Sequence, residues 1–206
     1  MKDFDTRSIP ATVHGRYLVR QGSPERLLVG FHGYGETADV HMSELRQIPG
    51  IERWTVVAVQ ALHPFYMNRT GAIVASWMTS LDRELAIEDN RAYVRAIVEQ
   101  FPPPRQLVFL GFSQGVAMAY RAAAGSQATG VIALGGDVPP ELFDAPLQLP
   151  PVLIGRGTRE EWYTADKLEN DVKRLSEVTE VSTCIYDGGH EWTGEFREAA
   201  GRFLSA

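Results

Sequence analysis

Short runs of Val, Leu and Ile recur along this chain, several of them apolar at almost every position: RLLVGF (26–31), WTVVAV (54–59), QLVFLG (106–111), GVIAL (130–134), PVLIG (151–155) and VSTCIY (181–186). A strand that is apolar on both faces needs cover on both faces, which is the condition of a parallel sheet flanked by helices. Helix-length amphipathic stretches lie between the runs. Leu168, Val172 and Leu175 fall at i, i+4 and i+7 behind Thr164 as N-cap; Tyr93, Val94, Ile97 and Val98 form a stripe in 87–100, ending before Pro102; Phe196, Ala200 and Phe203 give a closing helix its buried side. The stretch QGVAMAYRAAA is rich in Ala and Gly and suits a helix pressed close against the sheet. RYLVR reads as an antiparallel edge strand. The pattern predicts one domain over residues 1–206: an α/β fold with a mainly parallel sheet covered on both faces, and no room for a separate cap domain.

The longest stretch without a clear period is 63–85, HPFYMNRTGAIVASWMTSLDREL. It reads as an irregular loop after a strand, at the carboxyl edge where open α/β sheets bind ligands. Its Phe65, Tyr66, Ile73, Val74 and Trp77 argue against disorder.

The strongest local signal is the joint of the LVFLGFSQGVAMAY stretch, where Gly111-Phe112-Ser113-Gln114-Gly115 passes from a strand into a helix. A Gly-x-Ser-x-Gly match alone is weak, and a capping serine in a tight turn is the bland reading; strand before and helix after are the context of a nucleophile elbow. A serine hydroxyl needs a base. His190, in YDGGHEW just past the last strand, has the right chain order and a glycine-rich loop. His14, His32, His41 and His63 precede the serine or sit elsewhere. The acid should fall between serine and base. RGTREEWYT offers Glu160, the preferred candidate, and Glu161; Asp137 in GGDVPP is the main rival and Asp166 a distant third. For an oxyanion hole, GFHGYGE (30–36) places Tyr34 N–H among glycines as partner to Gln114 N–H.

Taken together, LVGFHGYGETADV, LVFLGFSQGVAMAY, PVLIGRGT and YDGGHEW resemble the α/β-hydrolase superfamily, and more closely its phospholipase/carboxylesterase group, which includes acyl-protein thioesterases and small bacterial esterases. The Ser-Trp-Met at 76–78 resembles an element these proteins carry before their second helix. The resemblance covers about 25–204. It implies Ser113 as nucleophile, His190 as base, an oxyanion hole from Tyr34 and Gln114, and neither metal nor organic cofactor. The chain departs from the family at the acid, where an aspartate is usual and Glu160 stands here.

The expected activity is a serine carboxylesterase for small to medium acyl esters, with acyl-protein thioesterase or lysophospholipase as the alternatives. A catalytically silent binding protein is the alternative of another class. Phe65, Trp77, Trp162 and Trp192 are candidate pocket walls, each of which could instead merely cover the sheet. With 20 basic and 26 acidic residues, a net charge of -6 and no basic patch, the sequence points to a small-molecule ester as partner rather than nucleic acid, and nothing basic clusters enough to nominate a phosphate group. No stretch is long and apolar enough for stable membrane insertion and MKDFDTRSIPATVHGRY lacks an apolar signal core, so the expected location is cytoplasmic. Cys184 excludes an internal disulfide and reads as a buried, unreactive thiol; Asn68-Arg69-Thr70 reads as a chance sequon. The oligomeric state is left open, a homodimer included.

Overall fold

Residues 5–206 are described by a computed structural model of the chain. In chain order the elements are β1 (Tyr17–Arg20), β2 (Ser23–Phe31), α1 (Ala38–Leu45), β3 (Trp54–Val59), β4 (His63–Tyr66), β5 (Ile73–Ser76) and α2 (Arg83–Val98). There follow β6 (Gln106–Phe112), α3 (Gln114–Ala123), β7 (Gly130–Leu134), β8 (Val152–Gly157), α4 (Ala165–Leu175), β9 (Val181–Tyr186) and α5 (Gly194–Phe203).

Seven strands make the main sheet in the order β1-β3-β2-β6-β7-β8-β9. Every neighbouring pair is parallel except the edge strand β1, which runs antiparallel to β3. Parallel neighbours need crossover connections, and the helices supply them. The period of two in a strand sorts the apolar runs onto the two faces. Leu27, Val29, Phe31, Val57, Val59, Leu107, Phe109, Val131 and Ala133 pack towards α2, α3 and α4. Their neighbours Leu28, Val56, Ala58, Val108, Leu110, Ile132 and Leu134 pack towards α1 and α5. Burial of each such large side chain is worth about 1.5–3 kcal/mol, so both halves of each run contribute. That is why the runs show so little polar alternation.

Helix starts follow their side chains. Thr37, Thr164 and Thr193 cap α1, α4 and α5, their hydroxyls accepting from Val40, Lys167 and Phe196 N–H. Helix α2 starts four residues before the expected boundary and ends at Val98, ahead of Pro102. Strand β8 runs on through Arg156 to Gly157.

The segment 63–85 is not irregular. It folds as a hairpin, β4 paired antiparallel with β5, followed by the start of α2. Phe65 lies opposite Val74 and Tyr66 opposite Ile73, aromatic with β-branched across the ladder. Met67 and Ala72 close the turn (N–O 2.8 Å), with Gly71 at φ 66°. Four-residue strands are too short to show a period in sequence. Among the described residues no separate cap domain stands over the carboxyl edge, and no helix is long and apolar enough to cross a membrane.

Candidate active site

Ser113 joins β6 to α3 with φ 53° and ψ −120°, one of two non-glycine residues with positive φ among those described. Such a conformation costs on the order of 1–3 kcal/mol and persists only when its surroundings impose it. Here the Ser113 N–H donates to Leu134 O in β7 (2.8 Å) and its carbonyl accepts from Val116 N (3.0 Å). The flanking glycines let the helix fold back on the strand. A Cβ at Gly111 would lie 2.3 Å from Gly115 O, and one at Gly115 would lie 2.1 Å from Phe31 O. The turn that results leaves the serine hydroxyl at the wall of a cleft of about 820 Å³.

His190, on the loop after β9, lines the same cleft. Its Nδ1 lies 2.6 Å from Glu160 Oε2, on the loop after β8. The Glu160 side chain is fully buried, whereas that of His190 keeps a quarter of its surface. Glu160 Oε1 accepts from Trp162 N (2.8 Å) and Tyr163 N (3.3 Å), so both carboxylate oxygens act as acceptors and Nδ1–H is the donor to Oε2. That tautomer leaves Nε2 with its lone pair. Among the described residues no hydrogen bond is formed between the ring and Ser113. The Phe112 ring packs on the imidazole at 4.9 Å, and a Cβ at Gly135 would touch it at 3.1 Å, so the ring sits in a tailored slot. Beneath the acid, buried Arg156 donates through Nε to Tyr163 O (2.7 Å) and through Nη2 to Glu160 O (3.3 Å). It braces the loop that carries the carboxylate.

None of the rival acids is paired with His190. Asp137 lines the cleft but pairs with Lys167 Nζ (3.0 Å). Glu161 is exposed, and Asp166 sits exposed in the first turn of α4.

The loop after β2 is held from three sides. His32, buried, donates through Nδ1 to Gly33 O (2.7 Å) and accepts at Nε2 from Ala61 N (3.1 Å); burial keeps its pKa below the ordinary imidazole value. Glu36 turns its Oε2 back onto Gly33 N (2.8 Å), and burial raises its pKa while that N–H pulls it down. Backbone bonds tie Gly35 N to Ala75 O (3.0 Å) and Ala75 N to Glu36 O (2.9 Å). Among the described residues neither Tyr34 N–H nor Gln114 N–H has a partner within the protein, and both residues line the cleft beside Ser113. The Ser-Trp-Met segment clamps this loop to the elbow. Trp77 Nε1 donates to His32 O (2.8 Å), Trp77 N to Gln114 Oε1 (3.0 Å), and Gln114 Nε2 to Met78 O (3.0 Å).

Three of the four aromatic candidates take no part in lining the cleft. Trp77 is fully buried, edge-on to Phe31 at 5.5 Å, because its indole N–H is spent on His32 O. Trp192 packs below the imidazole among Phe112, His41 and Phe196. Phe65 lies against the Tyr34 ring at 5.5 Å, outside the cleft wall. Only Trp162, 75% exposed, stands at the cleft. Sequence reading passed over Glu36, Gly135 and Arg156, although Glu36 lies in the GYGE stretch and the other two just beyond apolar runs. It also saw no basic cluster, whereas Arg83, Arg121 and Lys167 all line this cleft.

A doubly covered, mainly parallel sheet, a strained serine on the strand–helix elbow and a histidine–carboxylate pair on the loops after its last two strands define the α/β-hydrolase class. The chain belongs to the phospholipase/carboxylesterase family of hydrolases, whose family model matches residues 18–206. Solved structures share the fold. The carboxylesterase of Bacillus cereus superposes with TM-score 0.73 at 16% identity, covering 93% of each chain. The carboxylesterase of Mesorhizobium loti gives 0.75 at 19%, covering 93% of this chain and 95% of its own. Zea mays acyl-protein thioesterase 2 gives 0.74 at 16%, covering 93% and 98%. Among curated proteins none matches the chain by sequence.

Proposed function

We propose that the chain is a serine carboxylesterase acting on small to medium acyl esters through a covalent acyl-enzyme. The single observation that carries this reading is the 2.6 Å contact between His190 Nδ1 and the buried carboxylate of Glu160, in the cleft that also holds Ser113. The carboxylate fixes the tautomer and would stabilise the imidazolium that forms during attack. His190 and Ser113 line the same cleft, and such hydrogen bonds often tighten only with substrate bound.

Nε2 takes the Ser113 proton as Oγ attacks the ester carbonyl. The tetrahedral oxyanion rests on the free N–H groups of Tyr34 and Gln114, where one well-placed donor is worth about 10²–10³ in rate. His190 then protonates the departing alcohol, the acyl group stays on Ser113, and water repeats the cycle to release the acid. The cleft, open and without a cap domain, favours small and medium acyl groups.

Labelling with a fluorophosphonate probe and peptide mapping tests the reading. The wild-type chain is labelled at Ser113 and hydrolyses p-nitrophenyl butyrate, and Ser113→Ala loses both while keeping its far-UV circular dichroism. A folded wild type that is neither labelled nor active overturns it, and leaves a binding protein as the better description.

A further inference from the structure

Three cations share the cleft with Ser113: Arg83 at the start of α2, Arg121 on α3 and Lys167 on α4. Lys167 is accounted for, since Nζ sits between Asp137 Oδ2 and Trp162 O, each at 3.0 Å. The two arginines are not. Arg121, its side chain 2% exposed, directs Nε and Nη2 at one oxygen, Glu141 Oε1 (2.8 and 2.6 Å). Its Nη1 meets only the Met78 thioether at 3.6 Å, a weak acceptor. Arg83 reaches the other Glu141 oxygen at 3.5 Å, too long for a strong charge-assisted hydrogen bond, and its side chain keeps 40% of its surface. Arg91 stands close enough to repel Arg121 as well. Among the described residues Glu141 is the only carboxylate paired with Arg83 and Arg121. At the cleft, one negative charge therefore faces two guanidiniums, in a chain whose net charge is -6.

Resting on the esterase reading above, we propose that the cleft takes esters whose acid or alcohol part ends in an oxyanion group, a carboxylate or a phosphate, received by Arg83 while the ester carbonyl lies at Ser113. A guanidinium offers two parallel N–H donors that match either group. Arg121 and Glu141 form the fixed base of the subsite. Arg83, at the first residue of its helix and half-exposed, is the hand that closes on the ligand.

The test compares matched esters by kcat/KM. The carboxylate arm sets p-nitrophenyl hydrogen adipate against its methyl ester, and the phosphate arm sets butyrylglycerol phosphate against butyrylglycerol. A preference of about tenfold for the charged member is expected in one arm, and that arm names the source of the anion. In Arg83→Gln the charged-to-neutral ratio falls towards one, and in Arg83→Lys most of it returns, whatever either change does to the absolute rates. A ratio near one in both arms for the wild type, or a preference that survives Arg83→Gln, overturns the proposal. Failure here is separable from failure of the esterase reading: in the first case the neutral esters are still turned over and Ser113 is still labelled, in the second neither occurs.

Discussion

At the scale of single residues, Glu160 and Asp137 both follow strands of the sheet and both reach the cleft region, yet they meet different partners. Glu160 meets the imidazole at 2.6 Å, and Asp137 meets the Lys167 ammonium at 3.0 Å. The difference lies in the braced turn after β8, where Arg156 holds the backbone and two N–H groups fix one carboxylate oxygen. Replacing Glu160 by Gln presents an amide NH₂ to Nδ1 and favours the wrong tautomer. A fall in kcat of about 10³–10⁴ is expected, in line with amide replacement of a triad acid. Asp137→Asn breaks only a half-exposed ion pair, so less than about a tenfold change is expected on a neutral ester. Steady-state kinetics on p-nitrophenyl butyrate decide it, and the reverse result would move the acid to Asp137. Sequence order preferred Glu160 and kept Asp137 as its main rival, because which carboxylate meets the imidazole is set by where two loops end in space.

At the scale of elements, α3 is the piece whose position everything else depends on. It carries Gln114, follows Ser113 directly and crosses β2 so closely that a Cβ at Gly115 would lie 2.1 Å from Phe31 O and 2.7 Å from His32 O. Both obstacles are backbone and cannot turn aside. Gly115→Ala should therefore cost about 3 kcal/mol or more, seen as a lowered urea midpoint, and what still folds should have a displaced oxyanion loop and reduced turnover. Full stability in this variant would mean that the helix does not pack as described. Strands and helices of this kind were legible, since runs such as WTVVAV and GVIAL begin and end where the apolar period does. The β4–β5 hairpin was not. Its strands are too short for periodicity, and Trp77, which looks in sequence like a pocket wall, works instead as a bolt between the loop after β2 and the elbow before α3.

At the scale of the whole molecule, acid should weaken the fold through its buried histidines. His41 is fully enclosed on α1, neither ring nitrogen has a hydrogen-bond partner, and burial lowers its pKa from 6.5 to about 3. His32 is shifted in the same direction by burial. The unfolded chain takes up these protons below pH 6.5 and the folded chain does not, so stability is full above that pH and falls as pH drops towards the folded values. For His41 alone the loss at pH 5 is about 2 kcal/mol, from about 1.4 kcal/mol per unit of pH. In His41→Leu the difference between urea unfolding at pH 7 and pH 5 should shrink by about that amount; an unchanged difference would mean that the ring is already solvated or paired. By itself the sequence determined the layered α/β fold and the serine at the strand–helix elbow, because apolar period and glycine spacing are local properties of the chain. Only the tertiary structure decided which carboxylate reaches His190, that Trp77 is buried and Trp192 packs half-buried beneath the imidazole, and that Arg83, Arg121 and Lys167 meet in one cleft. Those are meetings of residues far apart along the chain, and they depend on loop ends and helix crossings that no local pattern encodes.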